Sequence, residues 1–200
     1  MKSIADGRED LMKNIAFEAI QGGDIEQCRG LCNELMAFQK SVARIAPESF
    51  DLMNFDTRMK KSFESALCSH VVVAKDGGEA VGYVFSTIDV VTPEDKAQYP
   101  DWAPRAENSL GFYPDWITLP QKIGCLSNLY LRDEYRGSGL GALLFEQAMA
   151  WLGGFPDVGL TFVFISNGND DALKFYEKHG FTYSHDVFGG FIKAAYYSVG

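Results

Sequence analysis

A mixed α/β fold built around one sheet is predicted by three features of the sequence. Apolar runs of strand length recur between segments of helical period, a Gly-Gly turn joins two β-branched runs near the middle, and 200 residues suffice for one sizeable core. "NIAFEAIQ" (14–21) alternates like a strand. Beyond "GGD", Ile25, Cys28, Leu31, Cys32, Leu35 and Phe38 share one helical face, and Asp24 can cap that helix. A second helix is expected near 56–68, with Met59, Phe63, Ala66 and Leu67 turned inward and Asp56 as N-cap. "HVVVAKDGGEAVGYVFSTI" predicts strands at about 70–75 and 79–88 around Asp76, Gly77 and Gly78, because glycine supplies the positive φ angles of a tight hairpin turn.

From 89 to 121 the sequence turns to proline, acids and aromatics without a period, which predicts an extended insertion lacking regular structure. "IGCLSNLYL" (123–131) is the next strand, followed by a glycine-rich loop and an apolar helix. "GLTFVFIS" (159–166) is a buried strand, and "NDDALKFYEKH" (169–179) a helix with Ala172, Phe175, Tyr176 and His179 on one face and Gly180 as left-handed cap. "FTYSHDV" and "FIKAAYYSV" close the chain as two strands. Residues 1–200 therefore read as a single domain with an insertion at about 89–121.

A net charge of −9 with no basic stripe argues against nucleic acid and anionic membrane surfaces as partners. Nowhere do some 18 apolar residues run uninterrupted, and the first residues lack a signal-peptide core, so the cytoplasm is the expected location. Cys28, Cys32, Cys68 and Cys125 contain no CxxC pair; they read as small buried hydrophobes, and no metal is expected.

"RGSGLG" (136–141) sits directly before a helix and poses the functional question. A nucleoside-triphosphate loop needs Lys and Ser or Thr after its last glycine, whereas Ala142, Leu143 and Leu144 follow here. Gly137, Gly139 and Ala142 do fit the dinucleotide spacing. However, "RDEYR" separates the strand from the first glycine, and the next strand ends in Ile165 and Ser166 rather than in a ribose-binding acid. What remains is an anion cradle of backbone N–H groups at a helix start, with Arg136 beside it.

"NLYLRDEYRGSGLGALLFEQA", with Arg136, Gly139 and Gly141 in the pattern R/QxxGxG/A, followed by "NDDALKFYEKHGF", resembles the two signature segments of the GNAT superfamily of N-acetyltransferases over about residues 123–183. The resemblance implies a GNAT-like (acyl-CoA N-acyltransferase) fold: a central mixed twisted sheet, splayed at the fourth strand, flanked by helices and holding acetyl-CoA in the opening. It assigns backbone groups of Leu129, Tyr130 and Leu131 to the pantetheine arm and the loop from Arg136 through Gly137, Ser138, Gly139 and Leu140 to Gly141 to the pyrophosphate. Asn169 would cap the following helix and, with Ala172, order the cofactor tail. Tyr176 falls on the family tyrosine that faces the thioester sulfur.

By that resemblance the reaction is direct attack of a primary amine on the thioester in a ternary complex. The Leu129 N–H would stabilise the oxyanion, and Tyr176, protonated at neutral pH, would donate to the departing thiolate. The base is open, because Ser127 and Asn128 stand where many members carry a carboxylate. The sequence favours a water positioned by Asn128 or Ser127, with Asp89, Glu94 and Asp115 as acids that could serve instead. Cys125 in an apolar strand is a poor nucleophile, and His70, His179 and His185 have no paired partners in sequence.

The expected acceptor is an amine-bearing small molecule. Tyr99, Trp102, Phe112, Tyr113 and Trp116 among the insertion's acids could bind it as a cation, or could instead pin the insertion to the core. A catalytically weak or inactive acyl-CoA-binding or sensing module is the alternative function, and a homodimer is the default assembly.

Overall fold

The computed structural model describes residues 12–20, 23–107 and 109–198. Strands β1 (Ile15–Ile20), β2 (Cys68–Asp76), β3 (Glu79–Val91), β4 (Gln121–Leu131), β5 (Leu160–Ser166), β6 (Thr182–Val187) and β7 (Ile192–Ser198) form one sheet in the order β1-β2-β3-β4-β5-β7-β6. Every neighbouring pair is antiparallel except β4 and β5, which run parallel. The predicted hairpin closes through Gly77 (φ +56°) and Gly78 (φ +94°), a two-residue turn with both φ values positive. Gln21 and Val199, expected at strand ends, lie outside the described residues, as does the segment 1–11.

Five helices accompany the sheet among the described residues: α1 (Arg29–Val42), α2 (Lys61–Ser65), α3 (Pro93–Ala97), α4 (Leu140–Leu152) and α5 (Asp170–Lys178). α1 lays Leu31, Cys32, Leu35 and Met36 on the sheet face that carries Val71, Val73, Tyr83, Phe85 and Tyr130. α4 and α5 cover the other face, where Leu140, Leu144, Phe145 and Tyr176 meet Val72, Val84, Leu126, Val163 and Ile165. The alternation of β2 and β3 thus supplies both faces, and both are buried.

β4 and β5 pair only from Ile123–Leu160 to Leu126–Val163. β4 then stays with β3 as far as Leu131–Gly82, while β5 stays with β7 as far as Ser166–Ile192, so the two strands part. The divergence coincides with a bulge: Phe85 faces Asn128 and Ser86 faces Leu126, leaving Ser127 as the extra residue. An inserted residue bends its strand and sharpens its twist, so the sheet opens at the fourth strand, as expected.

Several sequence expectations need correction. The second helix does not start at Asp56: Asn54 Oδ1 accepts from the amides of Asp56 and Thr57, and the Asn54 amide in turn donates to Thr57 Oγ1. Asp56 instead pairs with Arg29, at 2.5 Å. The helix also begins as a π turn, Phe55–Lys60, and ends at Ser65, which leaves Leu67 exposed rather than buried.

The insertion is not devoid of regular structure. β3 runs to Val91, and the Thr92/Asp95 capping box with Pro93 at the first turn nucleates α3. Its aromatics are pinned to the core: Tyr99, Trp102 and Phe112 surround Phe188, at ring distances of 4.6, 5.8 and 4.9 Å. Asp24 is not the N-cap of α1, which is Cys28 without a side-chain cap; it accepts from the Glu26 amide at 2.8 Å one residue before the preceding 3-10 turn's own N-cap, Ile25.

The C-terminal end of α1 is tied to the end of β5 by Asn167, which is buried. Its Oδ1 accepts from the amides of Arg44 and Ile45, and its Nδ2 donates to the carbonyls of Ile45 and Phe191, the last at 3.0 Å. Gly168 follows at φ +81°, and a Cβ there would lie 1.9 Å from the Val42 carbonyl oxygen. Asn167→Ala is expected to lower unfolding free energy by about 1–3 kcal/mol, since it strands buried backbone groups. Urea titration checks this: a midpoint equal to the wild type's would remove Asn167 as the tie.

Candidate active site

Alternation along β4 decides which backbone groups face the opening. Arg132 donates to the Val81 carbonyl, so in the antiparallel register the next bonded pair is Tyr130 with Tyr83, and Leu129 and Leu131 point their N–H and C=O the other way. The Leu131 carbonyl is met there by Arg136 Nε at 3.2 Å. Of the three residues expected to present backbone to the opening, Leu129 and Leu131 do so, whereas the backbone of Tyr130 is turned into β3.

The glycine loop follows a 3-10 turn at Asp133–Tyr135. Gly137 (φ +72°) and Gly139 (φ +96°) are left-handed, a conformation that a Cβ disfavours, and Gly139 is the N-cap of α4. Ser138 Oγ donates to the Tyr135 carbonyl and accepts from the Leu140 amide, and Ala142 and Leu143 donate to the Gly139 carbonyl. Among the described residues no protein acceptor meets the amides of Gly137, Gly139 and Gly141, the orphan donors of a helix start. The Arg136 guanidinium is paired with Asp133 at 2.8 Å and rests over Phe38 and Tyr130, at 4.5 and 5.6 Å from the ring centres. It therefore borders the opening rather than reaching over the loop amides.

On the far wall, Asn169 caps α5 by accepting from the Ala172 amide, at 3.4 Å. α5 ends with Gly180 donating to the Glu177 carbonyl and Phe181 to the Tyr176 carbonyl, the paired bonds of a left-handed glycine stop. That stop and the packing of Tyr176 against Phe145 and Phe181 fix the tyrosine, which is only 5% exposed. Asn169, Ala172 and Tyr176 line one cavity in the opening with Asn128, Leu129, and Leu35 and Gln39 of α1. Burial pushes the Tyr176 pKa above the ordinary tyrosine value, so it is a proton donor at neutral pH.

A second cavity lies on the other side of the β4 bulge, bounded by Arg58, Phe85, Thr87, Asp89, Tyr113 and Cys125. The two cavities share Ser127, Asn128 and Phe164, so they meet at the bulge. Of the acids considered for a base, Asp89 lines this second cavity. Asp115 is instead paired with Lys96 at 2.8 Å, and Glu94 is an exposed first-turn residue of α3. Burial raises the Asp89 pKa, while bonds from the Leu67 amide, at 3.0 Å, and Thr87 oppose the shift. Cys125 is pushed up to about 11 by burial, which keeps it a thiol.

A family model described as "Acetyltransferase (GNAT) family" matches residues 32–181. The chain belongs to the GNAT acetyltransferase family. A search of curated protein sequences finds no match. Among solved structures the chain is similar to PaiA N-acetyltransferase from Thermoplasma acidophilum in complex with coenzyme A, at 14% identity and TM-score 0.59, over 92% of this chain and 99% of that one. It is also similar to a chain of the NatC complex bound to Gag peptide and CoA, at 15% identity and TM-score 0.56, over 94% and 99% of the two chains. Naa50 from Arabidopsis thaliana, in complex with the bisubstrate analogue CoA-Ac-MVNAL, matches at 14% identity and TM-score 0.50, over 93% and 99%. At these identities the likeness is one of fold, and the fold is that of the GNAT acyl-CoA N-acyltransferases.

Within this GNAT chain, sequence reasoning missed Arg58, Gln39 and Asn167. Arg58 lies on the π turn beside buried Phe55 and Met59, and as a charged residue it does not register in a reading built on apolar positions. Asn167 carried a signal in "SNGND", where a polar turn follows a buried strand. The histidines have structural surroundings: His70 stacks on Trp151, His179 Nδ1 is 2.7 Å from the Phe175 carbonyl, and His185 bridges Ser184 and the Gly111 carbonyl. Among the described residues no group of three or more His, Cys, Asp or Glu could hold a metal ion, and no helix is long and apolar enough to cross a membrane.

Proposed function

We propose that this GNAT chain is an N-acetyltransferase, a single catalytic domain that moves the acetyl group of acetyl-CoA to a primary amine by direct attack. One observation carries the reading: two cavities meet at the β4 bulge, one bordered by Leu129 and Tyr176, the other by Asp89. We assign the donor to the first. Its wall offers the Leu129 and Leu131 backbone edge, and the helix start beside it offers loop amides without protein acceptors, the donors that a pantetheine amide and a pyrophosphate require. The solved relatives that hold coenzyme A support this choice of donor.

Acetyl-CoA brings an activated carbonyl with a thiolate leaving group. The chain supplies the rest: the Leu129 N–H is directed where negative charge develops on the carbonyl oxygen, and the buried Tyr176 hydroxyl protonates the departing sulfur. Asp89, the carboxylate of the second cavity, takes the amine's proton, directly or through a water held by Ser127 and Asn128. Four free cysteines suit a reducing compartment, and the cytoplasm is the proposed location.

Thiol release from acetyl-CoA across a panel of primary amines and peptide N-termini tests the proposal. Amine-dependent release is expected. Binding of coenzyme A with no amine raising the release rate would instead make the chain an acyl-CoA-binding module.

A further inference from the structure

The wall of the second cavity holds a cation without a counter-ion. Among the described residues Arg58 has no carboxylate within ion-pairing distance and no side-chain hydrogen bond; its Nε is fully enclosed and unsatisfied. Its neighbour on the same turn, Asp56, is engaged by Arg29. The Trp102 ring lies 5.1 Å from the guanidinium carbon, a contact that leaves the hydrogen-bonding demand of the Nε–H unmet. Phe85, Phe112 and Phe164 line the same cavity, and none of its polar groups hydrogen-bonds the enclosed Nε. Burying a guanidinium without a partner is costly, and burial draws the Arg58 pKa below the ordinary arginine value. A fold keeps such a group where a ligand supplies the anion, and a guanidinium edge matches a carboxylate in two parallel hydrogen bonds.

The same cavity holds Asp89. The two charges are not an ion pair with each other, so the cavity presents a positive and a negative group separately to whatever enters. An outer cleft, bounded by Arg58, Ser62, Tyr99, Asp101, Trp102 and Phe112, leads to it from the surface.

Resting on the acetyltransferase reading above, we infer that the acceptor is a small amino carboxylate of the amino-acid class, with its carboxylate on Arg58 and its amine between Asp89 and the β4 bulge. The aromatics of the insertion then have a different task from the cation box that the sequence left open. They hold the wall against which Arg58 lies, and the charge they help to read is negative.

Matched acceptors test this. The common L-amino acids are compared with their amides and decarboxylated amines in the thiol-release assay, for wild type, Arg58→Lys and Arg58→Gln. Coenzyme A affinity in the same samples reports whether fold and donor cleft persist. Wild type is expected to prefer a carboxylate-bearing acceptor over its amide by 100-fold or more in kcat/KM, on the order of the loss seen when a buried charge pair is truncated. That preference should collapse towards unity in Arg58→Gln and be partly kept in Arg58→Lys, with the loss mainly in KM. Equal use of acid and amide by wild type, or an Arg58→Gln variant that keeps the preference, would overturn the inference. If no amine is acetylated, calorimetric titration of the amino acids into the coenzyme A complex still decides the matter. Binding by wild type and not by Arg58→Gln upholds Arg58 as the carboxylate site although the reaction proposed above has failed; absence of binding to wild type ends it.

Discussion

Tyr176→Phe is expected to lower kcat by about 100-fold or more with every accepted amine while leaving coenzyme A affinity within about twofold of wild type. The change removes one hydroxyl and keeps the ring. That ring packs on Phe145 at 6.2 Å and Phe181 at 5.5 Å, and the backbone bond from the Phe181 amide to the Tyr176 carbonyl is untouched by the change. The hydroxyl is neutral throughout the working pH range, because burial raises its pKa further above neutrality. Its contribution is therefore one proton at the moment the sulfur departs, a demand made in the transition state and not in the bound ground state. Steady-state kinetics with calorimetric coenzyme A binding checks the split. A variant that loses affinity and rate together would make Tyr176 a packing residue of the donor cleft.

How much of this was legible in the sequence can be seen at particular residues. The strands of the hairpin, β4, α4, β5 and α5 were readable because each couples a short period to its own stop signal: Gly77-Gly78, "RGSGLG", and Gly180. The wall proposed for the donor draws on two short signature segments, and of their residues Leu129, Asn169 and Tyr176 line one cavity once α5 packs against the sheet. The side proposed for the acceptor was not readable in this way. Arg58 and Asp89 come from a π turn and from the last turn-out of β3, and a sheet bulge at Ser127 decides that they border one cavity. Neither the π register nor the bulge leaves a periodic trace. The β-branched stretch that was expected to end at Ile88 continues to Val91 because β4 supplies partners as far as Gln121, a tertiary effect that local propensity cannot contain.

The acceptor side yields the second large effect. Asp89→Asn is expected to cut kcat/KM at pH 7 by about 100- to 10,000-fold, the range typical of a positioned general base. Asparagine keeps an oxygen for the Leu67 amide that now bonds Oδ1 at 3.0 Å, so the loop at 67 has no cause to move. In wild type, kcat/KM should rise with pH as Asp89 loses its proton, with a midpoint above the ordinary carboxylate value because burial raises this group's pKa. In the variant that limb disappears. The remaining rate should climb about tenfold per pH unit with the neutral fraction of an amine of pKa about 10, so the gap to wild type narrows in alkali. Stability runs the other way. An acid whose pKa is higher folded than unfolded holds more protons in the native state, so its ionisation costs stability as pH rises from the unfolded value through the folded one, and the cost persists above it. Removing that charge should leave Asp89→Asn at least as stable as wild type at pH 7. Lost activity with retained or raised stability is the pattern of a site residue; an unchanged pH–rate limb in the variant would move the base elsewhere, with the water beside Ser127 and Asn128 next in line.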